Sequence, residues 1–147
     1  MALKRIDNID VMVDDLDAAI AFFSELGMEL EGRTAVEGDS VDRLLGLENV
    51  RTVVAMLRAP NGIGLELTKF LRPPVVGPDP RSATPHTRGI GRIMFAVDDI
   101  DHVVERLQWF GGELVGEVVQ YEDSYRLCYM RGPEGILIAL AEELGAH

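Results

Sequence analysis

The sequence predicts an α+β chain built from two tandem βαβββ units, and three observations carry that reading. The first is an internal repeat. Residues 9–23 (IDVMVDDLDAAIAFF) match residues 93–107 (IMFAVDDIDHVVERL) at an offset of 84, and the same offset carries LGMELEG (26–32) onto FGGELVG (110–116). RAPNGIGLEL (58–67) then matches RGPEGILIAL (131–140) at an offset of 73, so the second copy is 11 residues shorter in its middle. The second observation is that each copy switches from a two-residue to a three-to-four-residue apolar period, a strand followed by a helix. The third is a segment at 71–89 that holds five of the seven prolines. Proline cannot donate to a sheet ladder, so this stretch reads as a connector. The expected organisation is one domain over 1–147, with a first unit at 1–70, a linker at 71–89 and a second unit at 90–143.

Taken in order, Ile9, Val11 and Val13 alternate along the first strand, as Ile93, Phe95 and Val97 do in the second copy. Asp-Asp-Leu-Asp and Asp-Asp-Ile-Asp follow. Such acidic residues can cap a helix by accepting its orphan N–H groups, and the helix dipole favours their charge. The first helix places Leu16, Ile20, Phe23 and Leu26 on one face and stops at Gly27, while the second uses Ile100, Val104 and Leu107 and stops at Gly111. Three strands are expected next in each copy, the last two joined by Ala-Pro-Asn-Gly (59–62) and Gly-Pro-Glu-Gly (132–135) as hairpin turns. The loop from Glu37 to Asn49 largely accounts for the longer first copy; it is expected to hold a short helix around Val41 to Leu47, able to cover a pocket.

Composition narrows the function. Fourteen Lys and Arg against 25 Asp and Glu leave a net charge of −11, which repels phosphate backbones and anionic lipid, so neither nucleic acid nor membrane is an expected partner. No apolar run reaches the roughly 18 residues of a membrane span, and MALKRIDNID has no apolar stretch of the kind a signal peptide carries. A cytoplasmic protein is expected. Cys128 is the single cysteine, so neither an intramolecular disulfide nor a Cys-based zinc cluster is available. His86, His102 and His147 do not lie at ligand spacing.

Paired βαβββ units with Val-Asp-Asp-Leu/Ile-Asp at the first strand–helix junction, a Pro-x-Gly turn near each end and Leu-Glu-Leu in a last strand resemble the vicinal oxygen chelate superfamily. That group holds glyoxalases, methylmalonyl-CoA epimerases, extradiol dioxygenases and bleomycin-type resistance proteins. The resemblance spans essentially the whole chain. It implies a cupped mixed β-sheet with helices outside, commonly completed as a homodimer, and a divalent metal held by one residue from the first and one from the last strand of each unit. The matching positions here are Asn8, Glu66, Arg92 and Ala139. Glu66 alone is a good ligand, Asn8 offers one carbonyl, Ala139 offers nothing, and a guanidinium has no lone pair to donate. No metal or other cofactor is therefore expected.

The remaining candidates come from strand parity. Asn8, Asp10 and Met12 alternate with the apolar face of the first strand, as Arg92, Met94 and Ala96 do in the second copy. A four-residue turn at 59–62 would pair Arg58 with Ile63 and set Glu66 opposite Ala55. The same arithmetic sets Ala139 opposite Cys128, beside Arg126 and Met130; a one-residue slip would present Tyr125, Leu127 and Tyr129 instead. The expected ligand-binding set is Asn8, Asp10, Met12, Glu66, Arg92, Met94, Tyr121, Tyr125 and Arg126, with Glu66 the candidate general base if there is catalysis. Arg92 has two readings: a fork for a carboxylate, quinone or phenolate, or a partner for Glu66 or Asp10 in the space the metal left. Tyr121 and Tyr125 read either as ligand-stacking groups or as a cross-strand aromatic pair. Met12, Met94 and Met130 read as core filler or as a soft wall for a flat ligand. Cys128 reads as an inert buried thiol, His102 as solvated, and Trp109 as packing at a helix end or a subunit contact. Two functions remain open: a small-molecule-binding protein of the resistance type, sequestering an aromatic natural product or metabolite, and a lyase, isomerase or dioxygenase-like enzyme.

Overall fold

The computed structural model describes residues 2–145, which divide after Gly77 into two units, each with one mixed sheet. In the first unit β1 (Asn8–Met12) leads into α1 (Leu16–Leu26), β2 (Glu29–Glu37), α2 (Asp39–Leu45), β3 (Arg51–Arg58) and β4 (Gly64–Arg72). The sheet order is β1-β4-β3-β2, with β1 parallel to β4 and the other pairs antiparallel. The Asp15 side chain accepts from the Ala18 N–H at 3.0 Å and caps α1, and Gly27 ends that helix at φ 120°. Leu16, Ala19, Phe22 and Phe23 are buried, so the inward face is turned slightly from the expected one: Phe22 replaces Ile20. Against α1 the sheet presents Ala55, Leu57, Leu65 and Leu67, all fully or nearly fully buried.

The expected helix in the 37–49 loop is present but begins two residues earlier, at Asp39, and buries none of its residues. The carboxylate of Asp42 anchors it by accepting from the N–H groups of Asn49 and Val50 at 2.9 and 2.8 Å. Leu44 on this helix is 81% exposed.

The second unit runs β5 (Ile93–Ala96), α3 (Ile100–Trp109), β6 (Glu113–Leu114), β7 (Val119–Tyr121), β8 (Tyr125–Arg131) and β9 (Leu137–Glu143). Its sheet order is β5-β9-β8-β6, and β7 also pairs with β8. The expected single strand after the helix is thus split in two, with both pieces on one edge of β8. The Asp99 side chain caps α3 through the His102 N–H at 3.4 Å, and Ile100, Val104 and Leu107 are buried, as the periodicity predicts. Trp109 lies at the end of this helix, 78% exposed.

β4 continues through Arg72, two residues into the expected linker. Residues 78–83 belong to the second unit, where the Arg131 guanidinium donates to the carbonyls of Pro80, Ala83 and Gly135.

Both hairpins differ from expectation in the same way. Arg58 pairs with Gly64 and Arg131 with Leu137, so each loop has five residues rather than four. In each, the first loop residue donates to the fifth: Ala59 to the Ile63 carbonyl at 2.9 Å and Gly132 to the Ile136 carbonyl at 2.7 Å. The extra residue moves the register by one. Glu66 lies opposite Met56, not Ala55, and Ala139 opposite Tyr129, not Cys128.

Candidate functional site

The face of the first sheet opposite α1 gathers four polar side chains from two neighbouring strands. Asn8, Asp10 and Met12 of β1 pair with Gly64, Glu66 and Thr68 of β4, and all six side-chain positions point the same way. Asn8 Nδ2 donates to Glu66 Oε1 at 3.4 Å, a long contact, and Thr68 Oγ1 donates to Asp10 Oδ1 at 2.8 Å. Partial burial pushes the Asp10 carboxyl above its ordinary value, and the bonds from Thr68 and the Val11 N–H only partly offset that. Met56 projects beside Glu66, and Met12 is 42% exposed at the far end of β1. A hollow of about 130 Å³ opens at the Asn8 and Glu66 end, also lined by Asp7, Glu31, Met56 and Arg58. The cation there is already engaged: Arg58 binds Glu31 at 2.8 Å and the Gly62 carbonyl at 2.6 Å, and its guanidinium holds the Glu31 carboxyl below the ordinary range.

On the second sheet, the face opposite α3 carries Met94, Ala139, Leu127, Tyr125 and Tyr129. Arg92, just ahead of β5, lies over the Tyr129 ring with its guanidinium carbon 5.6 Å from the centroid. That is cation–π distance. Among the described residues, no carboxylate of its own unit forms an ion pair with Arg92. Met94 is 45% exposed beside it, and Ala139 is fully buried.

The register corrects one candidate and places Met130 in the core, the first of its two readings. Arg126 points to the α3 side, where it forms a two-pronged ion pair with Asp101 at 2.8 and 3.0 Å and holds that carboxyl low. Met130 is likewise in the core under α3. Tyr121 and Tyr125 are cross-strand partners on the open side, but Tyr125 is four residues, about 13 Å, along β8 from Tyr129. They are therefore apart from Arg92. Tyr129 was reachable only through the slipped register, and the turn sequences themselves do not reveal their fifth residue. Cys128 is buried toward α3, and burial pushes its thiol up, away from reactivity.

The four positions at which the resemblance places metal ligands supply one carboxylate, one carboxamide, one cation and one methyl group. Glu66 already accepts from Asn8, and Arg92 lies over the Tyr129 ring. Neither unit's pair fits a divalent ion, which needs several oxygen or nitrogen donors: Asn8 and Glu66 bring two side chains already bonded to each other, and Arg92 and Ala139 bring no lone pair at all. Among the described residues, no group of three or more His, Cys, Asp or Glu side chains is placed to hold a metal. No helix among them is long and apolar enough to cross a membrane.

A family model described as the Glyoxalase/Bleomycin resistance protein/Dioxygenase superfamily matches residues 5–140. The chain is 53% identical to a glyoxalase family protein from Bacillus cereus, with a TM-score of 0.94 and 99% of each chain covered. A glyoxylase/bleomycin resistance protein/dioxygenase domain from a Frankia species shares the fold at 19% identity and a TM-score of 0.68, covering 99% of this chain and 96% of that one. A glyoxalase I mutant from Zea mays does so at 21% identity and a TM-score of 0.66, covering 96% of this chain and 46% of that one. No curated protein matches the chain.

Proposed function

Because this chain belongs to the Glyoxalase/Bleomycin resistance protein/Dioxygenase superfamily, we propose that it is a metal-independent member that binds and sequesters a small organic molecule. The observation that carries the reading is the replacement of the metal-binding positions: Arg92 stands where a ligand would, over the Tyr129 ring, and Ala139 has no donor atom. The open face of the first sheet keeps polar groups beside Met12 and Met56, and that of the second keeps Arg92 beside Met94 and Tyr129, each the kind of lining a small-molecule site has. Such a protein works in the cytoplasm, as a homodimer, and withdraws its ligand from solution rather than transforming it. Glu66 is the general base of the opposing, catalytic reading.

Elemental analysis and native mass spectrometry of purified protein test this. The expected result is no stoichiometric metal after dialysis, a dimer, and a small-molecule adduct released intact on denaturation. About one zinc, nickel, manganese or iron per chain retained through dialysis overturns the metal-independent reading, and release of a chemically altered ligand favours the enzyme.

A further inference from the structure

We propose that Arg92 and Tyr129 form a clamp for the carboxylate of a planar aromatic monoanion, an inference that rests on the binding reading above and names its ligand class. The clamp is defined by the guanidinium carbon lying over the Tyr129 ring, 5.6 Å from its centroid. Held over the ring, the guanidinium still has N–H groups to donate, and a carboxylate can accept two of them in parallel. The arginines on the strands of this unit are committed elsewhere, Arg126 to Asp101 and Arg131 to three backbone carbonyls. Arg92 has no such partner within the unit among the described residues.

Charge sets the class further. The chain carries −11 overall, so an anion is repelled everywhere except beside a local cation, and one guanidinium offsets one negative charge. A monocarboxylate fits that balance, whereas a phosphate or polyanion does not. The ring is selected by what flanks the fork. Met94, on the same face and 45% exposed, offers a polarisable thioether, and the half-buried Tyr129 offers its aromatic edge.

The test is titration with three probes that share one ring system: 2-naphthoate, 2-naphthamide and 2-naphthylmethylamine, followed by ligand fluorescence. Wild-type protein is expected to bind the carboxylate roughly tenfold or more tighter than either of the others, the scale of a charge-assisted bidentate contact. Arg92→Met should abolish that preference, Tyr129→Leu should weaken it, and Tyr129→Phe, which keeps the ring, should preserve it. Thermal unfolding checks that the variants are folded, and the wild-type preference requires no variant. Equal affinity for naphthoate and naphthamide, or a preference that survives Arg92→Met, overturns the clamp while leaving aromatic binding in place. If none of the probes binds but a ligand co-purifies, the clamp is wrong and the binding reading stands. If nothing binds and nothing co-purifies, both fall.

Discussion

Asp10 shows how a single side chain sets a pH response. Its folded pKa is raised by burial, so the folded chain holds that proton more tightly than the unfolded one does. The resulting stability is fully present below the unfolded value near 3.8 and is lost as pH rises through the folded value. At neutral pH the charge therefore opposes folding. Asp10→Asn, whose amide oxygen can still accept from Thr68, is expected to raise the melting temperature at pH 7, and the gain should shrink as both proteins are taken toward pH 3.5. A gain unchanged across that range would contradict the burial argument. Cys128 is expected to react with a thiol reagent only as fast as the chain opens, so labelling should accelerate sharply in denaturant. At this scale parity was legible: Asn8, Asp10, Met12 and Glu66 share one face, and alternation is a local property of extended backbone. Arg126 and Tyr129 exchanged faces because their parity is set relative to Ala139 across a turn, and no property of either residue encodes the length of that turn.

Individual elements extend the contrast between local and nonlocal information. Caps were readable because Asp and the helix it serves are adjacent in sequence, and both Asp15 and Asp99 fill that role. They do so from different backbones, since Asp99 sits at φ 49° and Asp15 at φ −103°. Asp99→Ala is expected to cost about 1–2 kcal/mol, combining a lost cap with a left-handed conformation that alanine resists. Asp99→Gly should cost only a few tenths. Urea unfolding of the two variants measures the difference, and an alanine variant as stable as the glycine variant would show that backbone conformation plays no part. The split of the second copy's edge strand into β6 and β7 was not visible, because whether an edge segment pairs depends on the strand it meets. Met130 could not be placed for a related reason: its thioether would be only 2.7 Å from a side chain added at Gly112, a contact made by tertiary packing.

Across the whole molecule, the repeat was the most informative signal, because one pattern found twice specified both units and their order. It did not specify the boundary. Arg131 ties residues 80–83 to the second unit through two carbonyls, and a hydrogen-bonding side chain about 50 positions away leaves no trace in local composition. The five-residue hairpins give the molecule an uneven tolerance to changes in length. Inserting one glycine after Val76, which is 92% exposed, should alter stability by less than about 0.5 kcal/mol, because lengthening a loop slightly costs little closure entropy. Deleting Ile63 or Ile136 is the opposite case. One residue fewer would turn β4 or β9 over, delivering Glu66 to the helix side and Leu65 and Leu67 to water, or exchanging Ala139 with Ile138 and Leu140. Circular dichroism and urea unfolding are expected to show a folded insertion variant and deletion variants that do not fold. Two turns of different sequence are thus bound to one length, and a reading-frame-preserving loss of a single codon, harmless in most surface loops, would be lethal to the fold at either of them.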